Sequence, residues 1–337
     1  EDRRGYAAGV RALLVVNPNA TTTTAAGRDV LAHALASELK LEVLVTRYRG
    51  HAAEATAQAV RDGVELLVAH GGDGTVNEVV NGMLQGMGGP VGPGPGERVS
   101  LPRGKRRSPR LPCGPALAVV PGGSANVFAR ALGTPRDPVD ATAQLLHALG
   151  AGRSRLVGLG RADDRWFTFN AGMGWDADVV AEVEQMRFRG LAATPLRYAA
   201  TGLRQYYRQW RDPKPMTVEV PGLLEPTPVR VAFVSNTSTW TYLGSRPVHT
   251  NPGASFATGL GLFAMQSLGI GTVAHVLHEI LRSGGDPKGR HVIRHDAVPL
   301  VRVSCETPVA LQLDGDHLGE RSEVEFLSVP EALRVVV

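Results

Sequence analysis

Short apolar runs and longer amphipathic segments alternate along the first 150 residues of the chain. The apolar runs at residues 11–16, 41–46, 65–70 and 116–120 have the length of buried strands, and each is followed by a helical pattern. Strands that alternate with helices build a parallel, doubly wound sheet. The pattern therefore predicts an α/β domain over residues 9–150.

From residue 151 onward the pattern changes, and short strands prevail. We predict a strand-rich second domain over residues 151–329 and a closing strand at residues 330–337. One helical interruption is expected at residues 179–209. Further along, His275 and His278 lie three apart on a predicted helix, where exposed or packed side chains are more common than metal ligands. The strands expected in this domain are residues 166–170, 217–220, 229–235, 300–305 and 309–313.

Between about residues 86 and 114 the composition changes to Gly, Pro, Arg and Lys. Such a segment cannot bury enough apolar surface to offset its ordering entropy, so we predict a mobile surface insertion. Its cations could contact anionic lipid headgroups, although a solvated loop is the simpler interpretation. The cations are Arg103, Lys105, Arg106, Arg107 and Arg110.

The composition limits the classes of partner. The 337 residues carry 36 Lys and Arg against 32 Asp and Glu, a net charge of +4 that does not indicate nucleic acid. The only two cysteines, Cys113 and Cys305, are too few for a disulfide framework or a zinc site, which favours a reducing cytoplasm. No run approaches the ~20 apolar residues that span a bilayer, so a lipid substrate would be reached from the membrane surface.

A glycine-rich turn, Gly71-Gly72-Asp73-Gly74-Thr75, lies between a predicted strand and a predicted helix. Glycines let the backbone approach a phosphate closely, and the unpaired amides of a helix start attract anions. Thr75 could donate a hydroxyl and Asn77 an amide, while Asp73 could hold magnesium through water or orient an acceptor hydroxyl. The alternative is a structural turn in which Asp73 caps the helix.

Two further loops follow neighbouring strands. Residues 121–126, Pro-Gly-Gly-Ser-Ala-Asn, repeat the glycine turn, and residues 17–21, Asn-Pro-Asn-Ala-Thr, follow the first strand. The carboxyl ends of parallel strands meet at one edge of a sheet, where ligands of such folds bind. Three loops at this edge predict a nucleotide site.

A pair of carboxylates, Asp314 and Asp316, flanks Gly315 directly after a predicted strand. Carboxylates at this spacing could bind magnesium or accept the proton of an attacking hydroxyl. The alternative is a hairpin, because Asp-Gly is a common hairpin turn.

The motifs at residues 17–21, 71–82, 121–130 and 313–316 resemble the diacylglycerol kinase catalytic-domain family, which includes sphingosine kinases and bacterial lipid kinases. The resemblance covers nearly the whole chain. It implies a fold shared with NAD kinases, in which a Rossmann-like parallel-sheet domain precedes a β-sandwich domain.

The resemblance also implies an activity, namely transfer of the γ-phosphoryl of ATP to a lipid hydroxyl with Mg²⁺ as cofactor. Asp316 is the expected base with Asp314 as the next choice, Asp73 organises phosphate and metal, and Asp73 and Asp314 are the expected metal ligands. Together with the glycine turns, it predicts ATP contacts at Asn17, Pro18, Asn19, Ala20, Thr21, Thr46, Gly71, Gly72, Asp73, Gly74, Thr75, Val76, Asn77, Glu78, Gly122, Gly123, Ser124 and Asn126.

The chain departs from the family pattern at three positions. Asp316 stands where the family has Glu, and Val127 replaces an Asp near the lipid cleft. Thr258 replaces an Asp that helps to hold a structural magnesium in the family. A neutral hydroxyl is a poor substitute for a carboxylate, which weakens the case for a second metal site around Ser255, Thr258 and Leu260.

Diacylglycerol, converted to phosphatidic acid, is the expected acceptor. The alternatives are a sphingoid base or another lipid, an NAD kinase, and a nucleotide-binding regulator without catalysis. We expect a cytoplasmic protein that contacts the inner face of the membrane transiently and binds no nucleic acid. The sequence does not decide between a monomer and a homodimer. A mixture of rings and cations suits either a membrane interface or a domain junction. It comprises Arg204, Tyr206, Tyr207, Arg208, Trp210 and Arg211.

Overall fold

The computed structural model describes residues 9–88, 114–188, 201–202, 204–205, 207–208, 211, 214–282 and 284–337. The described residues form two compact units. Unit 1 draws on the ranges Glu1–Leu159, Asp164–Trp166 and Pro330–Val337, and unit 2 on Gly160–Asp163 and Phe167–Val329. The predicted insertion, with its basic cluster, falls on residues 89–113 and lies outside the described residues, as do Tyr206 and Trp210.

Unit 1 contains the predicted alternation of strands and helices. All four strands are parallel and lie in the order β2-β1-β3-β4. The end of a later strand, at Val335, pairs in parallel with Leu117 of the fourth strand. The elements are β1 (Arg11–Val16), α1 (Ala25–Ala36), β2 (Lys40–Val45), α2 (His51–Arg61), β3 (Leu66–Gly71), α3 (Asp73–Gly86), β4 (Ala116–Pro121), α4 (Val127–Ala131) and α5 (Pro138–Gly150).

The strands of unit 1 are apolar because helices cover both faces of the sheet. Every residue of β3 and β4 is buried, whereas β2, at the edge, is largely exposed. The core on one face joins strand residues to helices α1 and α5. Its members include Leu14, Val16, Leu31, Leu35, Leu66, Val68, Val120, Leu145 and Leu149.

Helices α2 and α3 touch through their backbones, and two glycines of α3 make this approach possible. A Cβ atom on Gly82 would lie 2.7 Å from the Cα of Ala53, and one on Gly86 would lie 2.7 Å from the carbonyl oxygen of Ala57. Real Cβ atoms do not come so close to backbone atoms. The glycines therefore fix where α3, which begins in the first glycine turn, lies against α2.

Unit 2 is rich in antiparallel strands. The order is β14-β13-β10-β7-β15, with β15 also pairing β16 and β8, and with β11 and β12 forming a separate hairpin. Strands β5, β6 and β16 contribute residues to both units. The elements are β5 (Ser154–Ala162), β6 (Arg165–Phe167), β7 (Asn170–Gly174), α6 (Trp175–Phe188), β8 (Met216–Val220), β9 (Leu224–Val229), β10 (Val231–Ser235), β11 (Thr239–Leu243), β12 (Arg246–His249), β13 (Leu260–Met265), α7 (Ile270–Leu281), β14 (Val292–Val298), β15 (Leu300–Leu313) and β16 (Asp316–Val336).

Several predicted boundaries in unit 2 were wrong. The strands predicted at residues 300–305 and 309–313 are one strand, β15, whose pairing with β16 shifts register between Ser304 and Val309. The strand predicted at residues 166–170 is broken between β6 and β7, because the amides of Thr168 and Phe169 donate to a carboxylate instead of a neighbouring strand.

The remaining differences concern helices and the end of the chain. The predicted closing strand at residues 330–337 is the last part of the long strand β16. Helix α6 begins at Trp175, earlier than expected, and the predicted continuation at residues 189–200 lies outside the described residues. Among the described residues, no helix has the length and apolar content needed to cross a bilayer.

Replacing Gly82 by Ala tests the contact between α2 and α3. The added methyl group must push the helices apart, so we expect Gly82→Ala to lower the free energy of unfolding by ~2 kcal/mol. The matched control is Gly150→Ala, because Gly150 also lies in a helix but faces open space. Urea unfolding of both variants measures the difference, and equal stabilities would contradict the packing described.

Candidate functional site

The first glycine turn ends strand β3 and starts helix α3. Gly72 is the N-cap residue, with φ −87° and ψ −176°, and no side chain caps the helix. Asp73 is the first helical residue, so it is not the N-cap that the alternative interpretation required. Its Oδ1 accepts a hydrogen bond from the amide of Phe128 at 3.2 Å. The first turn of a 14-residue helix without a side-chain cap is suited to binding an anion.

The two glycine turns lie in contact, backbone against backbone. The amide of Gly122 donates to the carbonyl oxygen of Gly71 at 2.8 Å. A Cβ atom on Gly123 would lie 2.6 Å from the Cα of Gly72, and one on Gly122 would lie 3.0 Å from the Cα of Gly71. Glycine is required at both positions because the opposite backbone occupies the space of a side chain.

The loop after β1 joins this pair of turns. The amide of Thr22 donates to the carbonyl oxygen of Gly122 at 2.8 Å, and the amide of Asn17 donates to that of His70 at 3.0 Å. The Asn17 side chain also donates to Oγ1 of Thr75 at 3.0 Å. The predicted convergence of the three loops is therefore confirmed, while their contacts with ATP stay a prediction.

The strand order places this convergence where ligands of such sheets bind. In the order β2-β1-β3-β4 the chain leaves β1 toward one side of the sheet and β3 toward the other. The crevice at the carboxyl ends of two such strands is the usual ligand site of open α/β sheets. Thr46 follows β2 on the same edge, where its amide donates to the carbonyl oxygen of Val16 at 2.9 Å.

Several polar side chains of the motif support the loops from within unit 1. Asn77 is buried, and its Nδ2 donates to the carbonyl oxygen of Trp166 at 3.0 Å. Asn81, one turn later, accepts from the amide of Trp166 and donates to the same carbonyl oxygen. The Asn77 side chain is thus attached to strand β6, and its contact with ATP stays a prediction.

Glu78 and Asn126 are also engaged by the protein. The Glu78 carboxylate accepts from the amides of Gly50, at 2.8 Å, and Ala52, at 3.2 Å, which caps the start of helix α2. Asn126, with φ 49°, accepts from the amide of Gly123 at 2.9 Å. Glu78 thus fixes the start of α2, and Asn126 fixes the second glycine turn. The predicted contact residues whose side chains are exposed include Asn19, Thr21 and Ser124.

The acidic turn is a β-hairpin between β15 and β16, as the alternative interpretation held. Leu313 pairs with Asp316, and Asp314 and Gly315 have φ values of 51° and 83°. Two consecutive residues with positive φ form a type I′ turn, for which Asp-Gly is a preferred sequence. Asp316 is the first residue after the turn and is partly exposed.

Asp314 is buried, and its carboxylate accepts four hydrogen bonds within unit 2. Oδ2 accepts from the amide and the hydroxyl of Thr168, at 2.6 and 2.8 Å. Oδ1 accepts from the amides of Phe169 and Asn170, at 2.9 and 3.1 Å. A carboxylate has about four lone-pair sites, and all are engaged here. Asp314 thus holds the turn, and its predicted roles as metal ligand or base stay predictions.

Gln312 and Asn170, which sequence reasoning missed, fasten the turn further. Gln312 is 2% exposed, accepts from the amide of Gly315 at 2.9 Å and donates to Oδ1 of Asn170 at 3.2 Å. Asn170 in turn donates to the carbonyl oxygen of Trp240 at 3.0 Å. The sequence signal for these bonds was Gln312 itself, a glutamine within an apolar strand, because a buried amide requires hydrogen-bond partners. These bonds fix the direction in which Asp316 leaves the turn.

The residues around Thr258 do not fit a magnesium ion. Oγ1 of Thr258 accepts from the amide of Ser255 at 2.9 Å and lies 3.2 Å from the carbonyl oxygen of Ser255. The hydroxyl closes its own loop where a carboxylate ligand would be required. The described residues contain no group of three or more His, Cys, Asp or Glu side chains placed to hold a metal. Thr258, which replaces the family's aspartate in the sequence, is thus part of a loop closed by hydrogen bonds.

The residues that carry the three loops match a known family of kinases in sequence. Residues 11–159 match the family model described as the diacylglycerol kinase catalytic domain. These residues, which include all three loops, therefore resemble the diacylglycerol kinase catalytic domain.

Curated relatives agree with this match, and a solved structure shares the fold. A probable lipid kinase, YegS-like, from Stenotrophomonas maltophilia is 26% identical over 334 residues, which is 91% of this chain and 90% of the relative. A diacylglycerol kinase from Bacillus subtilis is 30% identical over 172 residues, 49% of this chain and 46% of the relative. A putative diacylglycerol kinase from Bacillus anthracis superposes with a TM-score of 0.70 at 20% identity, covering 97% of this chain and 96% of that structure. The predicted fold class is confirmed.

His70, the residue before the glycine turn, gives the site a pH-dependent stability. It is 2% exposed, its Nδ1 lies 3.1 Å from the carbonyl oxygen of Val120, and burial lowers its pKa from the ordinary 6.5. The unfolded chain therefore takes up a proton before the folded protein does. The contribution of neutral, buried His70 to the free energy of unfolding is fully present above pH 6.5. It is lost as the pH falls from there through the lowered pKa of His70.

The variant His70→Gln removes this titration. We expect the free energy of unfolding to fall more for the wild type than for the variant between about pH 7.5 and about pH 5.5. Urea unfolding at both pH values measures each loss. Identical losses would show that His70 does not contribute to the pH dependence.

Proposed function

We propose that this protein is an ATP-dependent lipid kinase that transfers the γ-phosphoryl of ATP to a hydroxyl of diacylglycerol, giving phosphatidic acid. The observation that carries the proposal is the contact between the two glycine turns and the loop after β1, in residues that match the diacylglycerol kinase catalytic domain. The names of the relatives, a probable lipid kinase and a diacylglycerol kinase, support the choice of acceptor.

The nucleotide phosphates bind at the three loops. Helix α3 presents the amides of its first turn, and the turn at Gly122 and Gly123 lies against it. Donors fixed in this way stabilise the charge that develops on the transferred group without having to reorganise during the reaction. Because backbone amides and small side chains form the site, a change in loop shape would impair it as much as the loss of a side chain.

Asp73 is the side chain that suits the magnesium ion of the nucleotide. Its carboxylate is partly exposed and is held by the amide of Phe128, and carboxylate oxygens are preferred ligands of this ion. Magnesium, when bound, neutralises charge on the phosphate oxygens. Asp73 would hold the ion, and the loops would orient the phosphates.

Asp316 accepts the proton of the attacking lipid hydroxyl. Its carboxylate is partly exposed, and the rigid hairpin that precedes it, held by Asp314 and Gln312, limits its freedom. A positioned carboxylate is an effective general base for a hydroxyl that becomes acidic only as the new bond forms. Asp316 is one methylene shorter than the family's glutamate, so the acceptor has to come closer to the β15–β16 turn.

Replacing Asp316 by Asn tests the role of the base. Purified protein with magnesium, labelled ATP and vesicles containing diacylglycerol is expected to yield phosphatidic acid, and Asp316→Asn to reduce turnover at least ~100-fold. The dissociation constant for ATP, measured by calorimetry, should change less than about twofold because the nucleotide loops are untouched. Glu323→Gln, which neutralises an exposed carboxylate of the same strand, is the control and should retain turnover.

The same assay separates the rival activities. Sphingosine and NAD are offered in parallel reactions, and phosphorylation of either one in place of diacylglycerol would replace the proposed acceptor. ATP binding without transfer to any of the three would indicate a regulator and contradict the proposal.

A further inference from the structure

Helix α7 carries apolar side chains on two faces. Val276 and Ile280 are buried against a core that includes Phe233 and Phe263. On another face Ile270, Leu277 and Leu281 are 78%, 46% and 44% exposed. A helix turns about 100° per residue, so spacings of seven and four residues place these three side chains within about 20° of one line. They form a solvent-facing apolar stripe along the helix.

Such an apolar stripe is unusual at a protein surface. Single exposed apolar side chains are ordinary, whereas a contiguous exposed group indicates a contact with a partner or a membrane. In the part of the chain that the structure describes, the other large exposed apolar side chains are dispersed over several elements. Ala274, also exposed, lies on the same line and leaves the stripe without a polar interruption.

A cationic margin runs along one side of the stripe. Arg282 provides its charge, and Arg282 and the polar side chain of His278 are exposed and follow Leu281 and Ala274 around the helix on that side. His275 lies further round, and its Nε2 is 2.8 Å from the carbonyl oxygen of Lys288, so the loop with Lys288 and Arg290 borders the same side.

The nearby carboxylates are paired with cations. Glu279, with 19% of its side chain exposed, pairs with Arg282 at 3.2 Å. Asp286 pairs with Lys288 at 2.5 Å and also with Arg294. The three cations of these pairs exceed the two acids by one, so the margin keeps a positive charge. Exposed Arg290 adds a further positive charge on this side.

We propose that the α7 face, comprising the stripe Ile270, Leu277 and Leu281 with the margin Arg282, Lys288 and Arg290, docks this protein on an anionic lipid bilayer. The proposal rests on the proposed function, because a kinase of diacylglycerol must take its acceptor from a bilayer. An apolar stripe beside cations is complementary to acyl chains below anionic headgroups. The helix then lies in the plane of the interface.

Vesicle sedimentation without ATP tests the stripe. The full chain is mixed with phosphatidylcholine vesicles containing phosphatidylglycerol, and Ile270→Gln/Leu277→Gln/Leu281→Gln is expected to lower the partition coefficient at least about tenfold. Folding should be preserved because the replaced side chains are exposed. The control Val139→Gln/Leu223→Gln removes side chains that are 69% and 59% exposed on other elements, and it should bind like the wild type. Circular dichroism and thermal melting verify that both variants are folded.

A second pair of variants tests the margin. Each cation at an anionic surface contributes ~1 kcal/mol, equivalent to about fivefold in binding, so Arg282→Gln/Arg290→Gln should weaken binding roughly tenfold or more. On vesicles of phosphatidylcholine alone the same variant should bind like the wild type. Raising the salt should mimic the charge variant, because it screens exposed charges and leaves the apolar contact in place.

The outcomes separate docking from catalysis. If the stripe variant binds vesicles as well as the wild type, the proposal is overturned. The proposal is also overturned if the wild type fails to bind vesicles and the stripe variant has a lower sedimentation coefficient than the wild type. That result would assign the stripe to contact with a second copy of the chain. If the wild type binds through α7 and phosphorylates no lipid, the proposed function fails while the docking surface stands.

An activity measurement completes the test. The stripe variant should lose turnover on diacylglycerol embedded in vesicles at least about tenfold and keep it on a short-chain diacylglycerol dissolved below its micelle concentration. Equal losses on both substrates would contradict docking as the role of α7.

Discussion

The close contact between two glycine turns is the constraint on which the rest of the site depends. Gly71 and Gly72 lie against Gly122 and Gly123 at distances that leave no room for a side chain on Gly122 or Gly123. This contact aligns the ends of β3 and β4, and the hydrogen bond from Thr22 brings in the loop after β1. One packed backbone arrangement therefore determines three loops at once.

Several polar residues of the sequence motifs hold the protein's own loops in place. Asn77, Glu78 and Asn126 engage the protein's own backbone, and Asp314 does the same for the acidic turn. Side chains that would be taken for ligands from the sequence thus hold the loops and the hairpin in shape. Asp73 and Asp316 are partly exposed, and with the backbone amides they are the groups that the proposed phosphoryl transfer would use, a reaction in which positioning and charge stabilisation dominate.

The sequence predicted the parallel sheet and the three loops at its edge, because apolar runs and glycine turns are local signals. It could not predict the supports, since Asn77 meets Trp166, and Asp314 meets Thr168, only across long separations in the chain. The break between β6 and β7 was missed for the same reason. The sequence also did not predict the exposed apolar stripe of α7, because a run of apolar residues does not show which of them the core leaves exposed.

Binding of ATP to Gly123→Ala tests the central claim most directly. The methyl group would lie 2.6 Å from the Cα of Gly72, so it must separate the two turns and move the amides away from the phosphates. Calorimetry is expected to show at least about tenfold weaker ATP binding by a variant that still folds, with a free energy of unfolding lowered by ~1–3 kcal/mol. An unchanged dissociation constant in the folded variant would contradict the claim that this contact shapes the nucleotide site.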